Sequence, residues 1–403
     1  MIWNKEIQGI QALEAITAIS ALILFFSLYQ PSFWFIFLGA LLLILSRMSI
    51  YYLKHVSDQL VFDNEKKTLR ISIGEETLFA LKISQLSRLP VFQASLRVRL
   101  QACVTGAGFP SKLKGDEVEF TVPLHLKGKE AILVSIPIKG LTRGATRIKS
   151  LELTVENFFG IGSVELNYKP YIHKEVLIYP TPIPVSMRRL ASAKSIGDYT
   201  IQNSIHEEIL APVGTRDYVY TDSFKQIHWK ASAKVQALQT KVFEHKADYS
   251  WTFIVNLRDP DVRHGLGIIK NIESIAANIA FLAQYAAKQS IPYEVFLNLR
   301  VGSQSSVYHL PKGEGPRQLA KMLDLLARIG RIGITLPISN FLHSVEKQQQ
   351  NSPVVIIGGS FENLDEPCFS KMQKNSQQIF LLQDGLENAS IIPLGRAQSA
   401  GRW

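Results

Sequence analysis

The chain has 403 residues, more than one hydrophobic core usually serves, and its 46% hydrophobic and 19% charged residues exclude a disordered or fibrous protein. A formal net charge of +10, from 44 Lys and Arg against 34 Asp and Glu, would favour an anionic membrane face, a nucleic acid or an acidic partner. Cysteine occurs only at Cys103 and Cys368, in regions assigned below to different domains, which argues against a disulfide framework and fits a reducing compartment. The basic residues are spread, as Arg97 with Arg99, Arg143 with Arg147, and Arg188 with Arg189 illustrate. They read first as a solvated surface beside anionic lipid.

From Ala15 to Ser46 there is no charged side chain. As one helix rising about 1.5 Å per residue, this run would overshoot a hydrocarbon core of about 30 Å. Gln30-Pro31-Ser32 interrupts it, and proline disfavours helix in the preceding residue. The run therefore predicts a transmembrane hairpin within 10–54, with spans from Ile10 to Tyr29 and from Ser32 to Tyr52. Glu14 and Arg47 fall near the same end of the two helices, and Tyr51 and Tyr52 suit an interfacial belt. Lys5, Arg47 and Lys54 flank the spans, so the positive-inside bias places residues 1–9 and everything after the hairpin in the cytoplasm of a bacterium with a two-pass inner-membrane protein. A cleaved signal peptide fits less well, because a second apolar segment follows at once with no small-x-small cleavage pattern between the two.

Residues 58–180 change to short alternating runs, Leu69 to Ile73, Leu78 to Ile83, Ser95 to Leu100, Val118 to Val122 and Ala131 to Ile138, separated by glycine, proline and charged turns. That spacing predicts an antiparallel β-sandwich of roughly immunoglobulin-like size. It carries no catalytic cluster and reads as a spacer or docking module.

In 251–403 strand and helix patterns alternate. Trp251 to Leu257 is an apolar run; Ile268, Ile272, Ile275, Ile279, Leu282 and Ala286 keep helical spacing; Tyr293 to Leu299 is apolar again. A helix from Leu319 to Ile329 and strands at Val354 to Ile357 and Ile379 to Leu382 follow. The alternation predicts a doubly wound α/β domain whose ligands would sit beyond the carboxyl ends of the strands. Gly358-Gly359-Ser360 lies at such an end but lacks the lysine of a phosphate loop, so a tight turn explains it, and the chain has no nucleotide-binding G-x-x-x-x-G-K-[ST].

The connector 181–250 holds the least ordinary segment, Gly214-Thr-Arg-Asp-Tyr-Val-Tyr-Thr-Asp-Ser-Phe-Lys-Gln-Ile-His-Trp-Lys-Ala-Ser-Ala-Lys234, followed by Leu238 and Lys241-Val-Phe-Glu244. It resembles the signature of the bacterial family called "domain of unknown function 58", which runs R-x-Y, G-D, R-x-I-x-W-x-x-[ST]-A-[RK], then a basic residue and a glutamate. Arg216, Tyr218, Asp222, Ile227, Trp229, Ser232, Ala233, Lys234, Lys241 and Glu244 stand at those places. Upstream, Arg143-Gly144, Val155-Glu-Asn-Phe-Phe-Gly-Ile161 and Val176-Leu-Ile-Tyr-Pro180 resemble the family's R-G, D-P-F-G-L and V-Y-P elements. Thr221, Lys225, Lys234 and Asn157 depart from the usual glycine, arginines and aspartate.

The resemblance implies a C-terminal domain similar to the von Willebrand factor type A fold, in a protein associated with MoxR-type AAA+ ATPases and transglutaminase-like membrane proteins. Type A domains often hold Mg²⁺ through D-x-S-x-S after the first strand. Here those places read Asn256, Arg258 and Pro260, which disfavours a metal; Asp259 and Asp261 nearby could substitute as ligands, although two aspartates in a polar βα loop are more often solvated or capping a helix.

Two readings of the signature stay open. In one, Asp222 caps a short helix, Arg216, Asp217 and Asp222 form ion pairs tying the segment to the α/β domain, and Trp229 fills a core pocket. In the other, Arg216, Asp222, Lys225, His228 and Lys241 line a groove for a partner or anionic ligand. His228, with His206 and His245, matches no metal-ligand spacing. A membrane-tethered protein-interaction or adaptor module is therefore the favoured function. The alternatives are a hydrolase using the segment from Arg216 to Glu244, for which no nucleophile and base assemble, and a nucleic-acid binder, which no motif supports.

Overall fold

The computed structural model describes residues 3–29, 32–108, 110–187, 212–243, 249–262, 267–300, 307–330, 333–349, 352–361, 367–374, 377–384 and 389–394. The chain divides into two compact units, Met1–Pro180 and Thr181–Trp403.

The first unit opens on a strand, β1 (Trp3–Gln8), followed by α1 (Ile10–Tyr29) and α2 (Phe33–Val56). Both helices are long and apolar enough to cross a membrane, and only 17% of each apolar window is buried within the protein, unlike the core helix of a soluble domain. They mark the chain as a membrane protein. Small and hydroxylated residues line their contact. Thr17 donates to the Leu13 carbonyl at 2.8 Å and to Ser46 Oγ at 3.0 Å, and Ser20, Ser27 and Ser46 each turn back onto a carbonyl three residues earlier. At Gly39 a Cβ would stand 2.8 Å from Leu24 Cγ, so only glycine allows this approach. The second helix runs past the Tyr52 end expected of it, because Leu53 and Val56 are drawn into the β-sheet core.

That core lies between antiparallel sheets. The first has the order β1-β12-β11-β5-β8-β7, in which β5 is Val91–Gln101, β7 Ser111–Lys114, β8 Glu117–Leu126, β11 Ser150–Glu156 and β12 Ser163–Tyr168. The second is β2 (Leu60–Phe62), β4 (Glu76–Gln85), β9 (Ala131–Gly140) and β6 (Val104–Gly106). A three-stranded sheet of β10 (Gly144–Arg147), β13 (Glu175–Tyr179) and β3 (Thr68–Ser72) adds one parallel pair. Period-two alternation decides the faces. Leu96, Val98 and Leu100 point inward against Leu81, Ile83 and Ile136, while Arg97 and Arg99 stand outward. These two arginines are not free surface charges, since they interleave with Glu119 and Glu152 at 3.0–3.4 Å.

An unforeseen feature is β1. Its six residues pair antiparallel with β12, Trp3 opposite Tyr168 and Gln8 opposite Ser163. The Trp3 indole donates to the Leu60 carbonyl at 2.8 Å, and Lys5 Nζ lies 3.0 Å from Asp58. Leu13, Leu53 and Val56 belong to the same buried cluster as the strands, so the helix pair is rooted in the sheet core at both of its chain ends.

The second unit is α/β. Its sheet has the order β14-β22-β21-β20-β17-β18-β19, with β14 at Val185–Ser186, β17 at Trp251–Asn256, β18 at Tyr293–Arg300, β19 at Val307–Gly313, β20 at Val354–Gly359, β21 at Gln378–Gln383 and β22 at Ala389–Pro393. The run β21-β20-β17-β18 is parallel, while β19 and β22 are antiparallel to their inner neighbours. Helices Ile272–Lys288 and Gly315–Arg328 cover one face, over Phe253 and Val255. Helices Ile338–Gln348 and Pro367–Lys374 cover the other, over Ile254 and Ile357. Between β14 and β17 lies a separate two-stranded hairpin, β15 (Pro212–Asp217) and β16 (Gln239–Phe243), described below.

Rooting of the helices predicts a sharp contrast. Leu53→Ala, at 1% exposure, is expected to cost about 2–5 kcal/mol of stability in the detergent-solubilised chain. Leu22→Ala, at 67% exposure, should leave the melting midpoint close to wild type. Equal effects of the two would show that α2 does not share the sheet core.

Candidate functional site: a clamped hairpin with exposed aromatics

The signature folds on itself. After β15 the chain makes a turn, a 3₁₀ turn at Phe224–Gln226 and the short helix α3 (Trp229–Val235) before returning as β16. Register runs Arg216 opposite Thr240 and Asp217 opposite Gln239.

Arg216 and Asp222 form the clamp of this loop. The guanidinium meets the carboxylate with both nitrogens, at 2.7 Å and 2.6 Å, the bidentate geometry that gives such pairs direction as well as charge. Asp222 also accepts from the Val219 amide at 3.0 Å and the Thr240 hydroxyl at 2.9 Å. The Tyr218 hydroxyl donates to the Asp222 carbonyl at 3.3 Å. Arg216, and then the Val219 amide, hold the Asp222 carboxyl down to about 2. Asp217, the remaining member of the expected ion-pair set, instead accepts from Gln239 Nε2 at 2.6 Å. These bonds close the segment on itself.

Helix α3 is capped by His228 and not by Asp222. His228 Nδ1 accepts from the Ala231 amide at 3.1 Å, so the ring there is the Nε2–H tautomer. Ser232 donates to the His228 carbonyl at 3.1 Å and accepts from the Gln239 amide at 2.9 Å, stitching helix to strand. Ile227 is 1% exposed and bridges to Thr240. Lys225 and Lys234 are exposed and Lys241 half-buried. Glu244, His206, His245, Arg188 and Arg189 lie outside the described residues.

Trp229 requires a correction. It fills no core pocket, being 65% exposed, and Phe224, five residues earlier, is 71% exposed. Tyr220, at 95%, and Val219, at 52%, add to this apolar surface. Large side chains held open on a hydrogen-bonded frame are the composition of interaction hot spots. The frame residues Thr240 and Gln239 and the exposed Tyr220 were missed in the sequence, and Phe224, expected to share a helix face with Ile227, is exposed where Ile227 is buried. Tyr220 and Phe224 lay inside the recognised segment, whereas only the strand register reveals Thr240.

At the carboxyl ends of the parallel strands the chemistry is different. Asn256 Nδ2 donates to the Ser360 carbonyl, and Asn256 Oδ1 accepts from Asn298 Nδ2 at 2.7 Å. Asn298 in turn exchanges bonds with Leu336, donating to its carbonyl at 2.9 Å and accepting from its amide at 2.8 Å. Gly359 has φ +94, and a Cβ there would stand 2.0 Å from the Asn256 carbonyl oxygen, so the Gly358-Gly359 pair allows β20 and β17 to close together. Asp259 Oδ1 accepts from the Asp261 amide at 3.0 Å. Among the described residues no group of three His, Cys, Asp or Glu is placed to hold a metal ion. Burial pushes the Cys103 thiol, in the first unit, up to about 11, away from nucleophilic thiolate character.

No family model and no curated protein matches this chain. Among solved structures it is similar to a membrane-anchored protein from Corynebacterium diphtheriae, at 15% identity and a TM-score of 0.21, over 30% of this chain and 32% of that one. The chain thus spans about a third of that relative's length. It is also similar to a non-cellulosomal cohesin from the archaeon Archaeoglobus fulgidus, at 11% identity and a TM-score of 0.20, over 34% of this chain and 97% of that one. Likenesses of this size assign no activity.

The clamp predicts a pH window. A carboxyl held near 2, below its usual 3.8, stabilises the hairpin fully above about pH 4 and loses that effect as pH falls towards 2. Amide exchange of full-length protein, normalised to the intrinsic rate at each pH, should show protection of 212–243 collapsing across that window to the level of an Asp222→Asn variant. Protection in the variant equal to wild type at pH 7 would show that the carboxylate is not the clamp.

Proposed function

We propose that this chain is a two-pass protein of the bacterial inner membrane that presents the 212–243 hairpin as a protein-docking surface in the cytoplasm. The observation that carries the reading is the clamped loop itself: a bidentate Arg216–Asp222 pair holds Tyr220, Phe224 and Trp229 exposed, in a frame too short to bury them. Lys225 and Lys234, both exposed, flank these aromatics and favour an acidic partner face.

Pairing of β1 with β12 supports the two-pass arrangement, because strands on either side of the helix pair can meet only on one side of a bilayer. A signal peptidase cut after α1 would also strip a strand from the sheet. Lys5, Arg47 and Lys54 at that end support a cytoplasmic side. Numbering the strands from β17 onward as one to six, the sheet order is 3-2-1-4-5-6 with the third and the sixth antiparallel to their inner neighbours; the order and the antiparallel third strand support a von Willebrand factor type A-like reading of the second unit. The resemblance of the signature to the domain of unknown function 58 family supports a MoxR-type AAA+ ATPase as the docking partner, with a transglutaminase-like membrane protein in the same assembly.

The test uses full-length protein and a purified MoxR-type ATPase from the same bacterium. Tyr220→Ser, Phe224→Ser and Trp229→Ser combined should weaken binding by more than about thirtyfold, the loss of one strong anchor, with an unchanged melting curve. Unchanged affinity in the triple variant would remove the hairpin from the interface.

A further inference from the structure

The first unit holds a cavity of about 260 Å³ between α2 and the turn that joins β11 to β12. Met48 and Tyr52 of the helix, Phe92 of β5, and Asn157, Phe158 and Phe159 of the turn form most of its wall. The turn is built by Asn157, whose Oδ1 accepts from the Ile161 amide at 2.9 Å and whose own amide donates to the Gly162 carbonyl at 3.0 Å. Its other side-chain atom is unexplained by the fold. Asn157 is 1% exposed, and its Nδ2 has no hydrogen-bond partner. A buried amide donor without an acceptor is unfavourable, and the residue that carries this one lines the apolar cavity.

Position identifies the missing acceptor. Gly9, the residue before α1, lies against Ile161 and Gly162, and Gly162 itself lies against Leu53 and Leu13. The turn therefore sits where both apolar helices leave the sheet core, and its wall residues reach along α2 as far as Leu45, the last residues before Arg47. Phe158, Phe159 and Phe92 are 71%, 46% and 49% exposed and touch edge to face, at 5.4 Å and 5.5 Å. Exposed aromatics at the charged end of an apolar helix occupy the level of the bilayer interface. The groups that lie at that level and combine a long apolar chain with an unpaired acceptor are the acyl esters of glycerophospholipids.

We propose that this cavity is a lipid-binding site: it takes the first part of a glycerophospholipid acyl chain from the adjoining leaflet, and Asn157 Nδ2 donates to the ester carbonyl. Phe158 and Phe159 then form a third point of membrane contact beside the two spans. The inference rests on the reading that α1 and α2 cross the bilayer.

The experiment places p-benzoylphenylalanine at Phe158 in the full chain, reconstituted in vesicles of phosphatidylethanolamine and phosphatidylglycerol, and weighs the irradiated protein. The same probe at Phe37, in α2, and at Leu113, in β7, gives the controls. Phospholipid adducts are expected at Phe158 and Phe37 and not at Leu113. Asn157→Asp keeps the acceptor that holds the turn and removes the donor, and should lower the Phe158 adduct about fivefold, the loss of one hydrogen bond. Met48→Trp, which fills the cavity, should lower it at least as far. Adducts at Phe37 but none at Phe158, or a Phe158 yield indifferent to both substitutions, would overturn the site. Absence of adducts at Phe37 as well would overturn the transmembrane reading beneath it.

Discussion

Antiparallel pairing of β1 with β12 closes the first unit around its helices. Trp3–Gln8 precedes α1 and Ser163–Tyr168 is followed in the unit only by β13, so the pairing joins distant parts of the unit across the helix pair. A hairpin of apolar helices alone would be held by Thr17, Ser46 and the close approach at Gly39. With β1 in place its chain ends are also fixed, by Lys5 to Asp58, by the Trp3 indole to Leu60, and by Leu13, Leu53 and Val56 inside the sheet core. In this edge strand of mixed polarity, WNKEIQ, Trp3 and Ile7 pack against the sheet core and backbone ladder bonds to β12 supply the rest of its order.

The same arrangement explains which elements were legible in the sequence. The first span ends where Gln30-Pro31 interrupts an uncharged run, and its helix has the bounds that the run predicts. Arg47, Lys54 and His55 hid the continuation of α2, because they occupy its outer side while Leu53 and Val56, three apart, face inward. Strands such as β5 and β9 declared themselves by alternation. Strand β1 could not, since its partner lies about 160 positions away and no local periodicity marks it.

Legibility of the hairpin divides along similar lines. Arg216 and Asp222 are opposite charges in one short segment, and the structure joins them bidentately. Trp229 was misplaced because a large apolar side chain suggests a core, yet a 32-residue hairpin, its two strands included, has too little interior to cover it. The cap at His228 escaped notice because histidine is not among the usual N-cap residues, and its acceptor role depends on a single tautomer.

The carboxyl ends of the sheet and the hairpin surface differ in what it would cost to cover them. A ligand entering between β17 and β18 would have to break the bonds of Asn256 to Ser360 and Asn298, and of Asn298 to Leu336. At roughly 1 kcal/mol net for each of these four, reorganisation costs on the order of 4 kcal/mol before any contact is made. The aromatics of the hairpin carry the opposite balance. Tyr220, Phe224 and Trp229 are already exposed and already positioned, so covering them releases roughly 25 cal/mol for each Å² of apolar area with little ordering left to oppose it.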